Sequence, residues 1–379
     1  MNKSVRVIVI GGGITGATVA ANLSVQGQQV SLLEKQTVGG NGATQYSGAL
    51  FRLFDPDPEI ARLTRNSVEL METSRVGEVF AQSLRRCGIL YACEKTQLND
   101  DAISRCIAQH SDALYALERV SPQAACELSN GCYPSDNVRT LLYEPKGGVG
   151  DIRKTARDMA HLVRSYGNLV LENAHINAIS STASGVTVRC GSFVLEADYL
   201  VLAAGAWSRQ LADELPIDTR SIPLASLRAR RESPIPIIDT ETGTHVIPLQ
   251  GGYYQAGSKI RASAVDPESL RYDTGLIVPD ILGRLKGSGL EHTAADVVTV
   301  LEGFDSYTAD GRPVVDFIDV HKRCVAATGF CGIGYKVALA VAERVKYMLL
   351  SEEMAWNSPF SDSRHLFASA RFYAPETVQ

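Results

Sequence analysis

The chain has 379 residues, a length that exceeds one ordinary hydrophobic core and favours two joined domains. It carries 37 Lys and Arg residues against 42 Asp and Glu residues, and the resulting net charge of −5 argues against nucleic acid as a partner, because proteins that bind nucleic acid concentrate positive charge. The eight cysteines form no CxxC pair and no apolar run approaches the ~20 residues of a membrane span, so we expect no metal site and no membrane span.

The chain opens with a predicted strand, Val5 to Ile10, which is apolar except for Arg6 and is typical of a strand covered on both faces. Only four residues precede it, which leaves no room for a signal peptide, and we therefore expect a cytoplasmic location. A glycine cluster, an Ala-rich helix over residues 15–25 and a second strand over residues 29–34 follow. Strand, turn, helix and strand in this order predict a βαβ unit.

The glycine cluster contains Gly11, Gly13 and Gly16 in the spacing G-x-G-x-x-G directly after the first strand. The first glycine permits a tight turn, the second lets backbone approach a pyrophosphate, and the third lets helix and sheet pack closely. Glu34 ends the second strand, where a carboxylate accepts hydrogen bonds from ribose hydroxyls and disfavours the 2′-phosphate of NADP. These residues predict a dinucleotide site, and by themselves they leave both FAD and NAD open.

The remaining elements are predicted from apolar periodicity, glycines and prolines. In chain order they are helices over 56–74 and 101–120, a glycine loop at 147–151, a helix over 152–166, strands near 170, 186 and 193, an apolar strand over 199–203, alternating strands in a mostly antiparallel sheet over 221–300, a strand over 324–327, a glycine turn over 329–334 and a helix to about 350. Dinucleotide-type segments thus occur at the start, middle and end of the chain. A Rossmann-type domain that is interrupted twice explains this distribution.

Five segments, taken together, resemble one protein family. They are IVIGGGITGATVAANL (8–23), GGVGDIRKTARDMA (147–160), YLVLAAGAWS (199–208), DGRPVVDF (310–317) and ATGFCGIGYKVALAVAE (327–343). In sequence and order they resemble the D-amino-acid oxidase, sarcosine oxidase and glycine oxidase family of FAD-dependent oxidoreductases. The resemblance selects FAD over NAD. It also implies an α/β FAD-binding domain of Rossmann type (1–82, 148–212 and 300–379) and an α+β substrate domain with a mixed, largely antiparallel sheet (83–147 and 213–299).

The resemblance also assigns residues to the cofactor. The expected FAD contacts are Gly11, Gly13, Ile14, Thr15, Gly16, Glu34, Lys35, Ala204, Gly205, Trp207, Gly332, Ile333, Gly334 and Tyr335. The last glycine turn leads into a helix whose N-terminus can face the N1–C2=O edge of the flavin, where reduced flavin carries negative charge. Sarcosine oxidases tether FAD through a cysteine just upstream of the segment matching 306–313, but Gly303, Phe304 and Asp305 stand there in this chain. We therefore expect noncovalent FAD.

For the substrate, the resemblance implies oxidation of a small amine or amino acid, N-methyl and cyclic amino acids included, to an imine by hydride transfer to flavin N5. Arg52 and Lys336 match the positions that pair with a substrate carboxylate in sarcosine oxidases, a role that suits their charges. Tyr253 and Tyr254 lie in a strand that lines the pocket in the family. Tyr254 and Lys259, the latter near a lysine that assists oxygen, are the predicted catalytic residues. No dedicated base is required, so none of the histidines is nominated.

Two other functions remain open from the sequence. One is a flavin-binding subunit of a larger electron-transfer complex, and the other is a flavin monooxygenase, against which the TGFCGIGYK element argues. The electron acceptor, whether oxygen or another molecule, is open, as are the particular substrate and the oligomeric state.

Overall fold

The computed structural model describes residues 4–136, 138–350 and 367–372. The strands in this part of the chain are β1 (Arg6–Ile10), β2 (Gln29–Leu33), β3 (Leu50–Phe51), β4 (Leu84–Arg85), β5 (Ile89–Glu94), β6 (Glu118–Arg119), β7 (Arg139–Glu144), β8 (Gly148–Gly150), β9 (Leu169–Leu171), β10 (Ile176–Thr182), β11 (Gly185–Cys190), β12 (Phe193–Ala197), β13 (Tyr199–Leu202), β14 (Asp218–Ser221), β15 (Leu224–Arg228), β16 (Ile237–Asp239), β17 (Thr244–Leu249), β18 (Tyr253–Gly257), β19 (Ser263–Ala264), β20 (Val297–Leu301), β21 (Phe304–Tyr307), β22 (Val314–Phe317) and β23 (Cys324–Thr328). The α-helices are α1 (Ile14–Val25), α2 (Gly42–Tyr46), α3 (Pro58–Thr73), α4 (Arg75–Ala81), α5 (Gln97–His110), α6 (Pro122–Leu128), α7 (Ile152–Ser165), α8 (Ser208–Leu211), α9 (Thr274–Gly287) and α10 (Gly334–Leu350).

A six-stranded sheet joins the start, middle and end of the chain in the order β22-β23-β13-β1-β2-β9. All neighbours in it are parallel except β22 and β23. In β1, Val7 and Val9 pack in the core with α1, α7 and α10, whereas Ile8 and Ile10 face a second core beside the β10-β11-β12 sheet. Because both faces of β1 are covered, the strand is apolar along nearly its whole length.

An eight-stranded sheet has the order β20-β15-β18-β17-β16-β5-β7-β6, and its neighbours are antiparallel except for β5 and β16. Its strands come from residues 89–144 and 224–301. One face packs against α9 through Ile277, Ile281 and Leu285. The fold class is the predicted one, a parallel helix-covered sheet of Rossmann type joined to a mixed, largely antiparallel sheet.

Two element predictions were wrong. The helix predicted over 101–120 is α5, which spans Gln97–His110, and the chain then turns because Asp112 accepts the backbone N–H groups of Leu114 and Tyr115 at 2.9 Å each. Residues 221–300 also contain α9, which the prediction of strands alone omitted. Its Pro279 lies inside the helix, and its apolar residues repeat every four positions.

Among the helices of the described ranges, none combines the length and apolarity that crossing a bilayer requires. The same ranges contain no cluster of three or more His, Cys, Asp or Glu side chains that could hold a metal ion.

Candidate active site

A cavity of about 670 Å³ lies where the glycine turn after β1, the end of β13, the first turn of α10 and one face of the eight-stranded sheet meet. This volume is within the range of small-molecule and cofactor sites. Of the expected FAD contacts, the cavity is lined by Gly11, Gly13, Ile14, Thr15, Glu34, Lys35, Ala204, Gly205, Trp207, Gly332, Ile333, Gly334 and Tyr335. The structure therefore brings three distant segments of the chain to one site.

The turn between β1 and α1 requires glycine at two positions, because a larger residue would overlap backbone atoms there. Gly11 has φ +105°, and a Cβ atom there would lie 2.3 Å from the carbonyl oxygen of Ala203. Gly16 is not among the lining residues, but a Cβ atom on it would lie 2.0 Å from the carbonyl oxygen of Gly11. Both distances are far below van der Waals contact, so the helix can start this close to the sheet only with these glycines.

Glu34 connects the end of β2 to this turn. Its Oε2 accepts the backbone N–H of Gly12 at 2.6 Å, and its Oε1 accepts that of Gln36 at 2.9 Å. A carboxylate has about four acceptor positions. The two bonds fix the side chain at the cavity wall and leave acceptor capacity for hydroxyl donors.

The rim of the cavity near β13 is aromatic. The Trp207 indole donates from Nε1 to Glu268 Oε1 at 2.7 Å, and the Lys35 ammonium lies 5.1 Å from the indole centroid. Lys35 Nζ is also 3.3 Å from Glu268 Oε1. Phe304 meets the indole edge to face at 5.5 Å. These contacts hold a flat apolar surface at the cavity entrance.

The glycine turn 329–334 is attached to β21. Gly329 N donates to Ser306 Oγ at 3.1 Å, Cys331 N donates to the Ser306 carbonyl at 3.0 Å, and Gly332 N donates to Asp305 Oδ2 at 2.8 Å. α10 begins immediately after this turn at Gly334. The positive end of a 17-residue helix therefore points into the cavity, as expected for an anion-stabilising position.

At the other end of the cavity, Arg52 and Lys336 come together around Asp55. Lys336 Nζ lies 2.8 Å from Asp55 Oδ2, and Arg52 Nη2 lies 3.9 Å from the same oxygen. Arg52 also donates to the Phe54 carbonyl and stacks over the Tyr91 ring, 5.3 Å from its centroid. Burial alone would raise the pKa of Asp55, but the charges of Lys336 and Arg52 outweigh burial and lower that pKa below its ordinary value.

A fully buried carboxylate, Glu144, holds the chain segment next to the cluster of Arg52, Asp55 and Lys336. Glu144 accepts the backbone N–H groups of Leu53 at 2.6 Å and Phe54 at 3.1 Å, and the Tyr115 hydroxyl donates to it at 2.7 Å. These bonds hold the backbone of residues 53–54, and with it the segment that carries Arg52. Neither Asp55 nor Glu144 was predicted, because nothing in the sequence shows that residues 52–55, 144 and 336 meet.

The floor of the cavity was also missed by sequence reasoning. Ile238 of β16 and His245 and Ile247 of β17 line the cavity, and the strand register places Ile238 beside His245. The imidazole of His245 covers Gly257, where a Cβ atom would lie 1.8 Å from Cε1. Successive side chains of a strand point to opposite faces, so which side chains of β17 and β18 meet the cavity depends on the register, and neither THVIPL nor YYQAG has an alternating pattern that reveals it.

Three predicted residues in β18 or just after it do not line the cavity. Tyr254 points to the opposite face, where its hydroxyl donates to the Arg231 carbonyl and accepts from Ser233 N at 2.7 Å. Tyr253 is the first residue of β18. Lys259 is exposed, with its side chain beside Gly243. The catalytic roles of Tyr254 and Lys259 and the substrate contact of Tyr253 stay predictions.

The residues present fit a dinucleotide cofactor with a flat ring system. Gly205 has φ +53° and no atom within 4 Å of a Cβ position, and at Gly332, with φ +85°, the nearest such atom is the Tyr307 hydroxyl at 4.0 Å. At both glycines the backbone of the cavity wall is therefore open to close approach by a bound molecule. Together with the carboxylate at Glu34 and the helix N-terminus at Gly334, they form a cradle with the donors and acceptors that such a cofactor requires.

Comparisons with known proteins agree with this geometry. Residues 6–348 match the family described as DAO, FAD dependent oxidoreductase. The glycine oxidase of Geobacillus kaustophilus (strain HTA426) is 23% identical over 95% of this chain and 97% of its own length. This chain shares its fold with two solved structures. One is glycine oxidase from Geobacillus kaustophilus, with a TM-score of 0.77 and 18% identity over 98% of this chain and 100% of that one. The other is L-proline dehydrogenase from P. horikoshii, with a TM-score of 0.79 and 20% identity over 96% of this chain and 99% of that one. The chain belongs to the DAO family of FAD-dependent oxidoreductases, and it is an enzyme whose cofactor is FAD.

Proposed function

We propose that the protein oxidises a small amine or amino acid to the corresponding imine, with noncovalently bound FAD as the first electron acceptor. The observation that carries this proposal is the cluster of Arg52, Asp55 and Lys336, which lines or adjoins the same cavity as the dinucleotide turn and the first turn of α10. A carboxylate-binding group beside a redox cofactor is what amino-acid oxidation requires.

The charges of the cluster suit a substrate with one carboxylate. Asp55 neutralises one of the two cations, and Lys336 is the closer of the two at 2.8 Å. Arg52 is left with a net positive charge and with a guanidinium that is already oriented by the Phe54 carbonyl and the Tyr91 ring. Because its orientation is fixed before binding, Arg52 loses little conformational entropy when it pairs with a carboxylate.

Bound FAD supplies a two-electron acceptor for the hydride of the substrate α-carbon. The chain contributes the surroundings of that step. Ile222, Leu224, Ile238 and Ile247 give the cavity an apolar wall. The N-terminus of α10 favours negative charge on the cofactor. No side chain is assigned as a dedicated base, in keeping with a neutral amine as the reacting form.

The relatives support a small substrate. Similar proteins include a glycine oxidase, a monomeric sarcosine oxidase and an L-proline dehydrogenase, whose names indicate a small amino acid, an N-methyl amino acid and a cyclic amino acid as substrates. We therefore propose N-methyl and cyclic amino acids as the first compounds to test. The molecule that reoxidises FAD is oxygen or another acceptor, and exposure of the reduced enzyme to air distinguishes the two.

We also propose that the chain is divided as the sequence predicts, with an FAD-binding domain over 1–82, 148–212 and 300–379 and a substrate domain over 83–147 and 213–299. The eight-stranded sheet supports this division, because its strands come from residues 89–144 and 224–301.

The experiment is an anaerobic titration of the yellow holoenzyme with D-, L-, N-methyl and cyclic amino acids and with amines that lack a carboxylate, followed by exposure to air. Bleaching by one class identifies the substrate class, and rapid return of colour in air identifies an oxidase. Bleaching by NAD(P)H alone would instead indicate a monooxygenase. No bleaching by any compound would indicate a flavin subunit that needs a partner.

The role of Arg52 is tested with the variant Arg52→Met. Loss of a charge-assisted pair of hydrogen bonds costs about 2–3 kcal/mol, so we expect KM for the amino-acid substrate to rise on the order of 10²-fold, with little change for amines without a carboxylate. Arg86→Met is the matched control, because Arg86 pairs with Glu72 outside the cavity at 3.1 Å. An unchanged KM in Arg52→Met would refute the carboxylate contact.

A further inference from the structure

Asp305 is a carboxylic acid in the cavity wall that the proposed reaction does not use. It lies on β21, is 8% exposed and is a lining residue of the cavity. Its Oδ1 accepts the backbone N–H of Ser306 at 2.8 Å, and its Oδ2 accepts that of Gly332 at 2.8 Å. The acid is therefore bonded directly to the glycine turn that precedes α10.

This turn has a backbone conformation that needs support. Cys331 has φ +51°, which is uncommon for a residue other than glycine, and Gly332 follows with φ +85°. Three hydrogen bonds from residues 329, 331 and 332 to Asp305 and Ser306 hold the turn in place. Asp305 contributes to the position of the turn and places a titratable carboxyl next to it.

The carboxyl has no compensating cation at ion-pair distance among the residues that the structure describes. Burial raises the pKa of Asp305 to about 6, even though the N–H groups of Gly332 and Ser306 favour the ionised form. Gly332 and Ile333 of the same turn line the cavity, and from the family resemblance we expect the turn to lie beside the N1–C2=O edge of FAD, where the reduced cofactor carries negative charge. An ionised Asp305 and reduced FAD would repel each other across a site that is partly closed to water.

We propose that Asp305 is a positioning residue that holds the glycine turn 329–334 against FAD and, when ionised, lowers the reduction potential of the bound cofactor. Protonation of Asp305 removes the repulsion and raises the potential. The protein thereby makes reduction of its own FAD easier in mildly acidic solution than at neutral pH. The inference depends on FAD as cofactor and not on the proposed substrate.

Other charged and titratable side chains lie near Asp305 or near the β21 residues Phe304 and Tyr307. They are Arg220, Tyr307, Tyr46, Cys331 and Arg261. Burial raises the pKa of Tyr307 to about 12 and also raises the pKa of the Cys331 thiol. Both groups therefore stay neutral between pH 5 and 8. The guanidinium of Arg220 lies over the Tyr307 ring, 5.0 Å from its centroid. A proton exchanged near pH 6 in this group of side chains belongs to Asp305.

The test measures the reduction potential of the FAD holoenzyme with a redox dye between pH 5 and 8, in wild type and in Asp305→Asn. At pH 8, Asp305→Asn should have a reduced-to-oxidised ratio on the order of tenfold higher at a fixed solution potential, which is about 30 mV for a two-electron couple. At pH 5 the two proteins should converge, because Asp305 is then protonated in wild type. No offset, or an equal offset at both pH values, would overturn the proposal.

Asp310→Asn is the matched control, because it removes an exposed acid and leaves Asp305 in place. It should not show the pH-dependent offset, and if it does, the proposal fails. If Asp305→Asn does not retain FAD, Asp305→Ser replaces it. If that variant also loses FAD, the wild-type curve decides. A tenfold effect makes protonation of Asp305 tenfold more favourable with reduced than with oxidised FAD, so the slope of the curve should steepen by up to about half a proton per two electrons just above pH 6. A slope that does not steepen there overturns the proposal.

Discussion

At the scale of single residues, His245 shows how the cavity sets the chemistry of a side chain. Its imidazole lines the cavity and covers Gly257. Burial, and then the charges of Arg261 and Arg284, lower the pKa of His245 to about 4. A histidine in this environment is neutral at physiological pH, so it offers one donor and one acceptor to whatever occupies the cavity and does not add to the positive charge around Arg52.

This low pKa predicts a pH dependence of stability. The unfolded chain binds a proton at His245 below about pH 6.5, whereas the folded protein does not bind it until about pH 4. Stability is therefore lost as pH falls from about 6.5 to 4, and this histidine contributes on the order of 2 kcal/mol of that loss, reduced in part because the ring is only half-buried.

The measurement is thermal or urea unfolding of the holoenzyme across this range, in wild type and in His245→Gln. The variant should lose less stability between pH 6.5 and 4 than wild type does. His175→Gln is a matched control, because His175 also lines the cavity but is exposed. Equal pH dependence in wild type and His245→Gln would contradict the prediction.

At the scale of elements, the turn between β1 and α1 depends on contacts that no larger residue can make. Gly11 and Gly16 approach backbone oxygens so closely that a Cβ atom would overlap them. Gly27, just after the end of α1, has a positive φ of +76° but no atom within 4 Å of its Cβ position. The two ends of α1 therefore use glycine for different reasons, close packing at the first end and backbone conformation at the second.

Gly11→Ala should consequently abolish FAD binding or reduce it at least about 100-fold, because the turn must shift to accommodate a Cβ atom 2.3 Å from the Ala203 carbonyl oxygen. Gly27→Ala is the control and should cost about 1–2 kcal/mol of stability with normal FAD content. FAD content is read from the ratio of visible to ultraviolet absorbance after purification. Normal FAD in Gly11→Ala would show that the turn does not bind the cofactor.

At the scale of the whole molecule, the cysteines and the cavity are kept apart. All eight cysteines lie within the described residues as free thiols, and none of them lines the cavity. Cys331, in the glycine turn, has its Sγ hydrogen-bonded to the Gly329 carbonyl at 3.2 Å. Asp305 stands in the segment where sarcosine oxidases carry the cysteine that tethers FAD.

We therefore expect that denaturation releases all FAD. The intact mass of the denatured protein should equal that of the 379-residue chain alone, and the yellow colour should remain in the supernatant after acid precipitation. Because FAD binds the folded state, added FAD should also raise the unfolding temperature in a concentration-dependent way. Colour that stays with the precipitate would contradict the prediction and indicate a covalent bond.

The sequence by itself determined the elements that depend on local pattern and the chemistry that depends on fixed spacing. The apolar run of β1, the three glycines and Glu34 lie within one short stretch, so their arrangement follows from neighbouring residues. The predicted cofactor residues from three separate segments also line one cavity, because the order of parallel strands brings their ends together.

Only the tertiary structure decided which side chains face the cavity from the eight-stranded sheet and which charges meet inside it. Strand alternation allowed either face of β18, and the register placed Tyr254 away from the cavity. The meeting of Asp55 with Lys336 joins residues 281 positions apart, and that of Asp305 with Gly332 joins β21 to the glycine turn 329–334. Such contacts depend on packing between elements, a long-range property that local sequence pattern does not encode.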